Sequence, residues 1–276
     1  MPLPVHSALR YVQPLREGGS LPAIVDTDGG LYVVKFRGAG QGPKALIAEL
    51  IVGLLAQQLG LPVPDPALIE VAPAFGRAEP DPEIQEILRG SHGINVGARY
   101  LDGAFNFDFS AAGEYVSPRL ASELVWFDGY TTNPDRTHRN PNILIWQRKP
   151  WLIDHGAAIY AHHSWGTTDA ERTRTHFPLI KDHVLLAEAD DIEGADRQLA
   201  GRLTPQLIDE VLSAVPEALL RDRLIAEEFP DANAARTRYR EYLSNRLAAP
   251  RLFVSEAVEA RERRLAQPQL RRTARR

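Results

Sequence analysis

Residues 133–158 constrain the fold of this chain more strongly than any other stretch of its sequence. A polar loop comes first, and two short apolar runs follow it, Ile143–Trp146 and Trp151–Ile153, with a turn between them. An acid then ends the second run just before Gly156. This order predicts a loop followed by a β-hairpin. The polar side chains that such an arrangement can bring around one point are Asp135, Asn140 and Asp154.

These three side chains form a set that phosphoryl transfer requires. An acid takes the proton of the acceptor hydroxyl, while an amide and a carboxylate hold magnesium on the phosphates. The spacing Asp-x-x-x-x-Asn occurs in many loops by chance, so it is weak by itself. The hairpin and the second motif, Asp-x-Gly, make the whole pattern more specific.

The composition of the chain is that of an ordinary globular protein. Its 276 residues suffice for one large domain or two lobes with a substantial core. The formal net charge of −4 gives no general attraction to nucleic acid or to a membrane surface. The absence of cysteine excludes disulfides, thiolate zinc sites and a cysteine nucleophile.

The sequence shows no membrane or export signal. Its longest apolar stretch, Leu50–Leu55, is interrupted by Gly53 and is far too short to span a bilayer. The N-terminus lacks the basic start and apolar centre of a signal peptide. We therefore expect a cytoplasmic protein without a membrane partner.

The first hundred residues predict a β-rich region with one helix. Apolar residues at helical spacing predict this helix over Ala45–Leu59, and Gly60 ends it. The proline-rich segment Pro73–Pro82 predicts a surface loop. The strand candidates are Leu21–Asp26, Leu31–Phe36, Ala67–Val71 and Ile94–Leu101.

Two isolated charges in this region form a candidate pair. Lys35 is the only charged residue of its strand candidate, and Glu49 is the only charged residue between Lys44 and Asp65. On a helix Glu49 faces small apolar neighbours, where an unpaired carboxylate costs roughly several kcal/mol, so a partner is expected. Paired with Lys35, it would resemble a phosphate clamp. The plain alternative is a half-exposed glutamate beside a lysine that reaches water.

A glycine-rich segment precedes the first strand candidate. Its residues Gly18, Gly19 and Ser20 could let backbone N–H groups approach phosphates closely. The segment does not match the Walker pattern G-x-x-x-x-G-K-[ST]. A plain hairpin turn is the alternative, and the position one hairpin before Lys35 favours the phosphate loop.

Histidines near the two acids leave a rival chemistry open. A di-metal hydrolase could be built from His138, His155, His162 and His163 together with the acids. However, the sequence contains no H-E-x-x-H motif, and no two histidines lie four apart on a predicted helix.

The second half of the chain predicts a mainly helical region. Ser117 and Pro118 open a helix that runs to about Thr132, and further helices start at Thr204-Pro205 and at Asp231. We divide the chain into residues 1–101, residues 102–260 and a basic, disordered tail over residues 261–276. This tail is the one part with a possible contact to nucleic acid or an acidic partner, but no aromatic residue for base stacking follows Phe253.

Taken in order, these motifs resemble a protein-kinase-like fold, and most closely a compact form of the HipA-like kinase family. The resemblance covers residues 15 to about 160. It rests on five stretches, which are Tyr32-Val-Val-Lys-Phe, Leu59-Gly-Leu-Pro-Val-Pro, Trp126-Phe-Asp-Gly, Asn133-Pro-Asp-Arg-Thr-His-Arg-Asn-Pro-Asn and Leu152-Ile-Asp-His-Gly.

The resemblance implies an α+β, two-lobed fold with a small β-rich N-terminal lobe and a larger, mainly helical C-terminal lobe. It also implies ATP and Mg²⁺, with Asp135 as the catalytic base and with Asn140 and Asp154 as magnesium ligands. Lys35, paired to Glu49, would contact the α- and β-phosphates. The segment of Arg99, Tyr100, Leu101 and Asp102 would be the hinge that reads adenine through its backbone.

The chain departs from the family pattern in two respects. Asp154-His-Gly156 replaces the Asp-Phe-Gly of ordinary protein kinases, and no Ala-Pro-Glu follows. Residues 165–276 match no motif, so a toxin role does not carry over.

The interpretation is an ATP-dependent kinase that phosphorylates a hydroxyl, on a protein Ser or Thr. The alternatives are a small-molecule or lipid-head-group kinase on the same scaffold, and a nucleotide-binding protein without turnover. A binding protein without turnover commonly lacks at least one of the polar residues that the kinase pattern requires. This chain retains all five of them, which argues against that alternative; they are Lys35, Glu49, Asp135, Asn140 and Asp154.

Overall fold

The computed structural model describes residues 2–15, 21–77 and 79–266. The predicted glycine-rich residues Gly18, Gly19 and Ser20 lie outside the described residues. The fold combines α-helices and β-strands, as expected. Within the described residues, no helix combines the length and the apolar character needed to cross a membrane.

Five strands of the N-terminal region close into a barrel. The strand order around the barrel is β1-β2-β3-β5-β4, and the closing contact between β1 and β4 is parallel while the others are antiparallel. The strands are β1 (Val5–Pro14), β2 (Ala23–Thr27), β3 (Gly30–Lys35), β4 (Pro66–Val71) and β5 (Gly93–Arg99).

The alternation of side chains along β3 separates the barrel core from an outer, cleft-facing surface. Tyr32 and Val34 are buried in the small core of the barrel, whereas Val33 and Lys35 line a cleft outside it. Successive residues of a strand point to opposite faces, so Lys35 faces the cleft because the apolar residues beside it face inward.

Helix α1 (Gly42–Leu59) is buried almost all round because elements pack on it from both sides. It contacts β4 and β5 on one side and helices of the C-terminal region on the other. The prediction that Gly60 ends this helix is confirmed, since Gly60 has the left-handed backbone (φ 75°) that favours glycine.

A three-stranded sheet and a set of helices form the rest of the chain. The sheet has the order β6 (Phe105–Asn106), β7 (Ile143–Trp146) and β8 (Lys149–Leu152), so the predicted hairpin is confirmed. Ser117, Thr204 and Asp231 cap helices as predicted, each by accepting a backbone N–H. The helices other than α1 are α2 (Pro82–Arg89), α3 (Ala112–Tyr115), α4 (Pro118–Thr131), α5 (Ala170–Thr173), α6 (Ile192–Leu199), α7 (Pro205–Ala214), α8 (Glu217–Leu220), α9 (Arg223–Ala226), α10 (Ala232–Leu247) and α11 (Leu252–Ala266).

The structure corrects the predicted organisation at three places. Strand β1 was not predicted, and the N-terminal region contains a second helix, α2, instead of one helix only. Asp81 caps α2 through Oδ1, and a proline follows it at the first position. Helix α11 extends to Ala266, so residues 261–266 are helical and the prediction of disorder is wrong for them. The remainder of the predicted tail, residues 267–276, lies outside the described residues.

Candidate active site

A cleft of about 570 Å³ separates the barrel from the β7–β8 hairpin. This volume falls in the range of small-molecule sites. Its lining combines apolar side chains with ionised and amide side chains. Apolar residues of the lining include Ile24, Val33, Val63, Ala98, Leu101 and Leu152.

Lys35 lies at the polar end of this cleft and contacts two carboxylates. Its Nζ donates to Oε2 of Glu49 at 2.6 Å and also to Oδ1 of Asp154. Burial alone would lower the pKa of Lys35, but the charges of Glu49 and Asp154 outweigh burial and hold the pKa above its ordinary value. The predicted pairing of Lys35 with Glu49 is therefore present, and Lys35 is charged.

Asp154 is the more exposed of the two carboxylates that contact Lys35. Its side chain is 33% exposed, against 12% for Glu49. Burial would raise the pKa of Asp154, but the ammonium of Lys35 holds it below its ordinary value. A carboxylate that remains ionised beside a cleft can bind a cation.

The backbone around Asp154 has features that bring it close to Lys35. Asp154 adopts a left-handed conformation (φ 55°), which is uncommon for residues other than glycine. A Cβ placed on Gly156 would lie 3.4 Å from Nζ of Lys35, so this residue also borders the ammonium.

Glu49 joins helix α1 to the segment after the hairpin. Its Oε2 accepts the backbone N–H of His155 at 2.8 Å as well as the Lys35 ammonium. The carboxylate of Glu49 is tolerated on this buried helix because two groups donate hydrogen bonds to it. Both donors belong to residues of the cleft wall.

The loop before the hairpin places Asp135 between two asparagine amides. Oδ2 of Asp135 accepts from Nδ2 of Asn140 at 2.9 Å and from Nδ2 of Asn142 at 3.2 Å. Both asparagines line the cleft, as does Asp154. The predicted residues Asp135, Asn140 and Asp154 are thus brought together at one end of the hairpin.

A buried ion pair beneath the loop supports Asp135. Nε of Arg136 donates to Oδ2 of Asp128 in α4 at 2.6 Å, and the two side chains are 0% and 1% exposed. Arg136 also donates to the carbonyl of Asn142, and Asn133 donates to Oδ1 of Asp128 at 3.1 Å. The guanidinium of Arg136 therefore holds the backbone of Asn142 in place.

His183 completes this network from the far side of Asp128. Its Nδ1 accepts the N–H of Leu185 at 3.1 Å, so its Nε2 carries the proton and donates to Oδ2 of Asp128 at 3.0 Å. Burial would raise the pKa of Asp128, but Arg136 and His183 together hold it far below its ordinary range.

The predicted hinge residues Arg99, Tyr100 and Leu101 all line the cleft. The N–H of Arg99 donates to Asp65 at 2.9 Å, and that of Tyr100 donates to Leu31 at 3.0 Å, so neither faces the cleft as a free donor. The N–H of Leu101 has no backbone partner among the described residues. It is the donor that a ligand in the cleft can use.

Residues on both sides of the predicted glycine-rich loop lie at the same cleft. Leu15 and Pro22 line it, and the N–H of Leu15 donates to the carbonyl of Pro22 at 2.7 Å. The described residues that flank residues 16–20 therefore lie beside the cleft.

The histidines of the rival chemistry have separate surroundings. The ring of His155 is buried, and His138 contacts Arg264 of α11. His162 contacts His163 at 3.2 Å and Tyr239 of α10 at 3.3 Å. In the part of the chain that the structure describes, no three His, Asp or Glu side chains are grouped to hold a metal. The geometry gives no support to a di-metal hydrolase.

Sequence reasoning missed Asn142, Arg136, Asp128 and His183. Asn142 could have been found, because it directly precedes the predicted strand and therefore sits at the same end of the hairpin as Asp154. Asp128 contacts both Arg136 and His183. His183 lies far from the other two along the chain, so no local spacing indicates this cluster.

The cleft combines a cation, an ionised carboxylate and two asparagine amides that also donate to the loop acid Asp135. The oxygen donors of Asp154 and of the asparagine amides are of the kind that Mg²⁺ prefers. The residues present thus fit a site for a metal-bound phosphate beside Lys35 and Asp154.

Comparisons with known proteins agree with this geometry. A family model described as a HipA-like kinase matches residues 11–217, well over half of the chain. Among solved structures, a Helicobacter pylori proinflammatory kinase, CtkA, has a similar fold, with a TM-score of 0.55 and 13% sequence identity. The match covers 97% of this chain and 100% of that one. No curated protein sequence is significantly similar to the chain.

Proposed function

Because the chain belongs to the HipA-like kinase family, we propose that it transfers the γ-phosphate of ATP to a hydroxyl, on a protein serine or threonine. The family implies a kinase that uses ATP and a divalent metal ion. The observation that carries the proposal for this chain is the double contact of Lys35 with Glu49 and Asp154 in the cleft wall. The same cleft is lined by Asn140 and Asn142, whose amides donate to the loop acid Asp135.

The apolar end of the cleft binds adenine. The barrel and α1 form one lobe, and the mainly helical region forms the other. The nucleotide binds between these two lobes. Adenine lies between Val33 and Ala98 on the barrel side and Leu152 on the hairpin side, all of which line the cleft. The free N–H of Leu101 donates to a ring nitrogen, as hinge backbones do. The glycine-rich residues Gly18, Gly19 and Ser20 cover the phosphates.

The polar end of the cleft binds the phosphates. Lys35 contacts the α- and β-phosphates while Glu49 keeps the ammonium in position. Asp154 and a loop asparagine, Asn140 by sequence spacing, hold Mg²⁺, which neutralises charge on the phosphates when bound. Asp135 orients the acceptor hydroxyl and accepts its proton as the hydroxyl oxygen attacks the γ-phosphorus; the bond from this phosphorus to the β–γ bridging oxygen breaks, and ADP leaves. The proposed setting is the cytoplasm.

Mg²⁺-dependent phosphate transfer is the direct test of this proposal. The purified chain is incubated with γ-labelled ATP and Mg²⁺, alone and with protein and metabolite mixtures, and the labelled products are identified. We expect phosphoserine or phosphothreonine on protein, and loss of transfer in Asp154→Asn with the fold intact. Label on a small molecule only would contradict the protein acceptor, and absence of any Mg²⁺-dependent ATP binding would contradict the kinase.

A further inference from the structure

We propose that Asn142 supplies the amide oxygen that holds the metal ion together with Asp154, and that it carries more of this task than Asn140. The inference rests on the kinase function proposed above and deepens it, because it assigns a metal ligand that the five-residue spacing from Asp135 does not indicate.

The orientation of both amides follows from the chemistry of Asp135. An ionised carboxylate only accepts hydrogen bonds, so each asparagine must turn its Nδ2 towards Asp135. The Nδ2 of Asn140 lies 2.9 Å and that of Asn142 lies 3.2 Å from the same oxygen. Each Oδ1 is consequently directed away from Asp135, and neither accepts a hydrogen bond among the described residues. Both oxygens are chemically able to bind a cation.

The two asparagines differ in how their backbones are held. The carbonyl of Asn142 accepts the N–H of Ile153 at 3.1 Å and a guanidinium N–H of Arg136. The next residue, Ile143, pairs with Leu152 in the hairpin. Asn142 therefore lies directly across the hairpin from Ile153, one residue before Asp154.

Asn140 has only local support. Its N–H donates to Oγ1 of Thr137 at 3.3 Å, and its carbonyl accepts the N–H of Thr137 at 3.0 Å. The residue is exposed, whereas Asn142 is 8% exposed. The backbone carbonyl of Asn142 accepts two hydrogen bonds, and the residue is buried. Its side chain therefore loses less conformational freedom than that of Asn140 when it binds a metal, so Asn142 is the better organised of the two.

The backbone conformation of Asn142 matches that of Asp154. Asn142 has φ 48° and Asp154 has φ 55°. At this end of the hairpin, a residue other than glycine therefore has a left-handed backbone just before β7 and another just after β8. Such conformations are uncommon for residues other than glycine and persist where the surrounding structure imposes them, commonly at functional sites. Both residues line the cleft. One amide and one carboxylate thus face the same space from neighbouring strands.

Metal-dependent nucleotide binding separates the two asparagines. Asn142→Gly removes the amide and tolerates the positive φ, and Asn140→Gly is the matched control. The affinity for a non-hydrolysable ATP analogue is measured over a range of Mn²⁺ concentrations, and bound Mn²⁺ is followed by paramagnetic resonance. We expect Asn142→Gly to raise the Mn²⁺ concentration for half-maximal binding by about tenfold or more, and Asn140→Gly to raise it much less.

Asn142→Asp provides a second variant, because aspartate also tolerates a positive φ and keeps an oxygen donor. We expect it to retain Mn²⁺ binding, and thermal melts of all variants show whether they fold. A shift for Asn142→Gly no larger than that for Asn140→Gly, in folded protein, would overturn the assignment. If the unaltered chain itself bound nucleotide without any metal dependence, the proposed kinase function would fail instead.

Discussion

Two buried clusters of charge flank the cleft, and they differ in what surrounds them. In the first, Lys35 meets Glu49 and Asp154 at the edge of the cleft, with side chains 10%, 12% and 33% exposed. In the second, Arg136 and Asp128 lie beneath the loop, at 0% and 1%. A cluster that borders the cleft can exchange partners with a ligand, whereas an enclosed one cannot. The first is therefore suited to binding, and the second to holding the loop.

His155 links the two clusters. Its backbone N–H donates to Glu49 at 2.8 Å, and its Nδ1 lies 3.4 Å from Nη2 of Arg136. Its Nε2 is buried without a partner in the described residues. Burial lowers the pKa of His155 to about 4, so the ring is neutral near pH 7.

The enclosed cluster gives the largest expected effect on stability. Asp128→Ala leaves the Arg136 guanidinium buried without its carboxylate, and His183 without its acceptor. Breaking such a pair costs about 3–5 kcal/mol of unfolding free energy. Chemical denaturation measures it.

A matched control for this variant is Asp209→Ala, which removes the partner of Arg240 from a half-exposed ion pair. Surface pairs of this kind contribute about 0.2–1 kcal/mol. Equal losses for the two variants would show that the enclosure of Asp128 has no special weight.

The cleft-facing cluster is expected to affect rate more than stability. Lys35→Met removes the cation proposed to contact phosphate, so single-turnover transfer should fall by on the order of a hundredfold or more. The melting temperature should drop modestly, because Glu49 and Asp154 then lose their shared partner but retain access to water through the cleft.

Lys44→Met is the control for Lys35→Met, since Lys44 also pairs with a carboxylate, Glu228, but does not line the cleft. We expect it to keep most of the transfer rate. A variant of Lys35 that melts early but transfers phosphate normally would reverse the roles given to the two clusters.

The bridging histidine is expected to have the smallest effect, and it depends on pH. The folded-state pKa of about 4 lies below the ordinary value of 6.5. Between these values the unfolded chain binds more protons than the folded one, so stability falls as the pH falls. From pH 7 to 5 this contribution amounts to about 2 kcal/mol.

His155→Gln removes the titrating ring at this position and should flatten the pH dependence of unfolding by that amount. Part of the slope should remain, because burial also lowers the pKa of His162 and of His183. Identical slopes in denaturation series of the two proteins would show that His155 does not couple to folding.

Much of the cleft-facing cluster could be predicted from the sequence. Lys35 and Glu49 are each the only charged residue of an apolar segment. A buried charge without a partner is costly, so a pairing between them is expected. The hairpin that positions Asp154 also has a clear local pattern of apolar runs and a turn. Residues whose environment is set by nearby sequence are accessible to this reasoning.

The enclosed cluster could not be predicted in this way. Asp128 lies in α4 and His183 lies 47 positions after Arg136, so only the tertiary fold brings them together. Helix α2 was not predicted for another reason. It starts at Asp81-Pro82, directly after a proline-rich stretch, so its first residues resemble a continuation of the loop. Strand β1 is paired on both sides, yet much of it is exposed, so it lacks the alternation of a half-buried strand.

The central claim is that Asp135 acts in the chemical step of the proposed phosphate transfer. Single-turnover transfer by Asp135→Asn tests it most directly, with ATP binding and a thermal melt measured in parallel. The substitution keeps size and one acceptor oxygen but removes basicity. We expect normal folding, near-normal Mg²⁺-dependent ATP binding and a loss of transfer on the order of a hundredfold or more. Near-parental transfer by this variant would contradict the account.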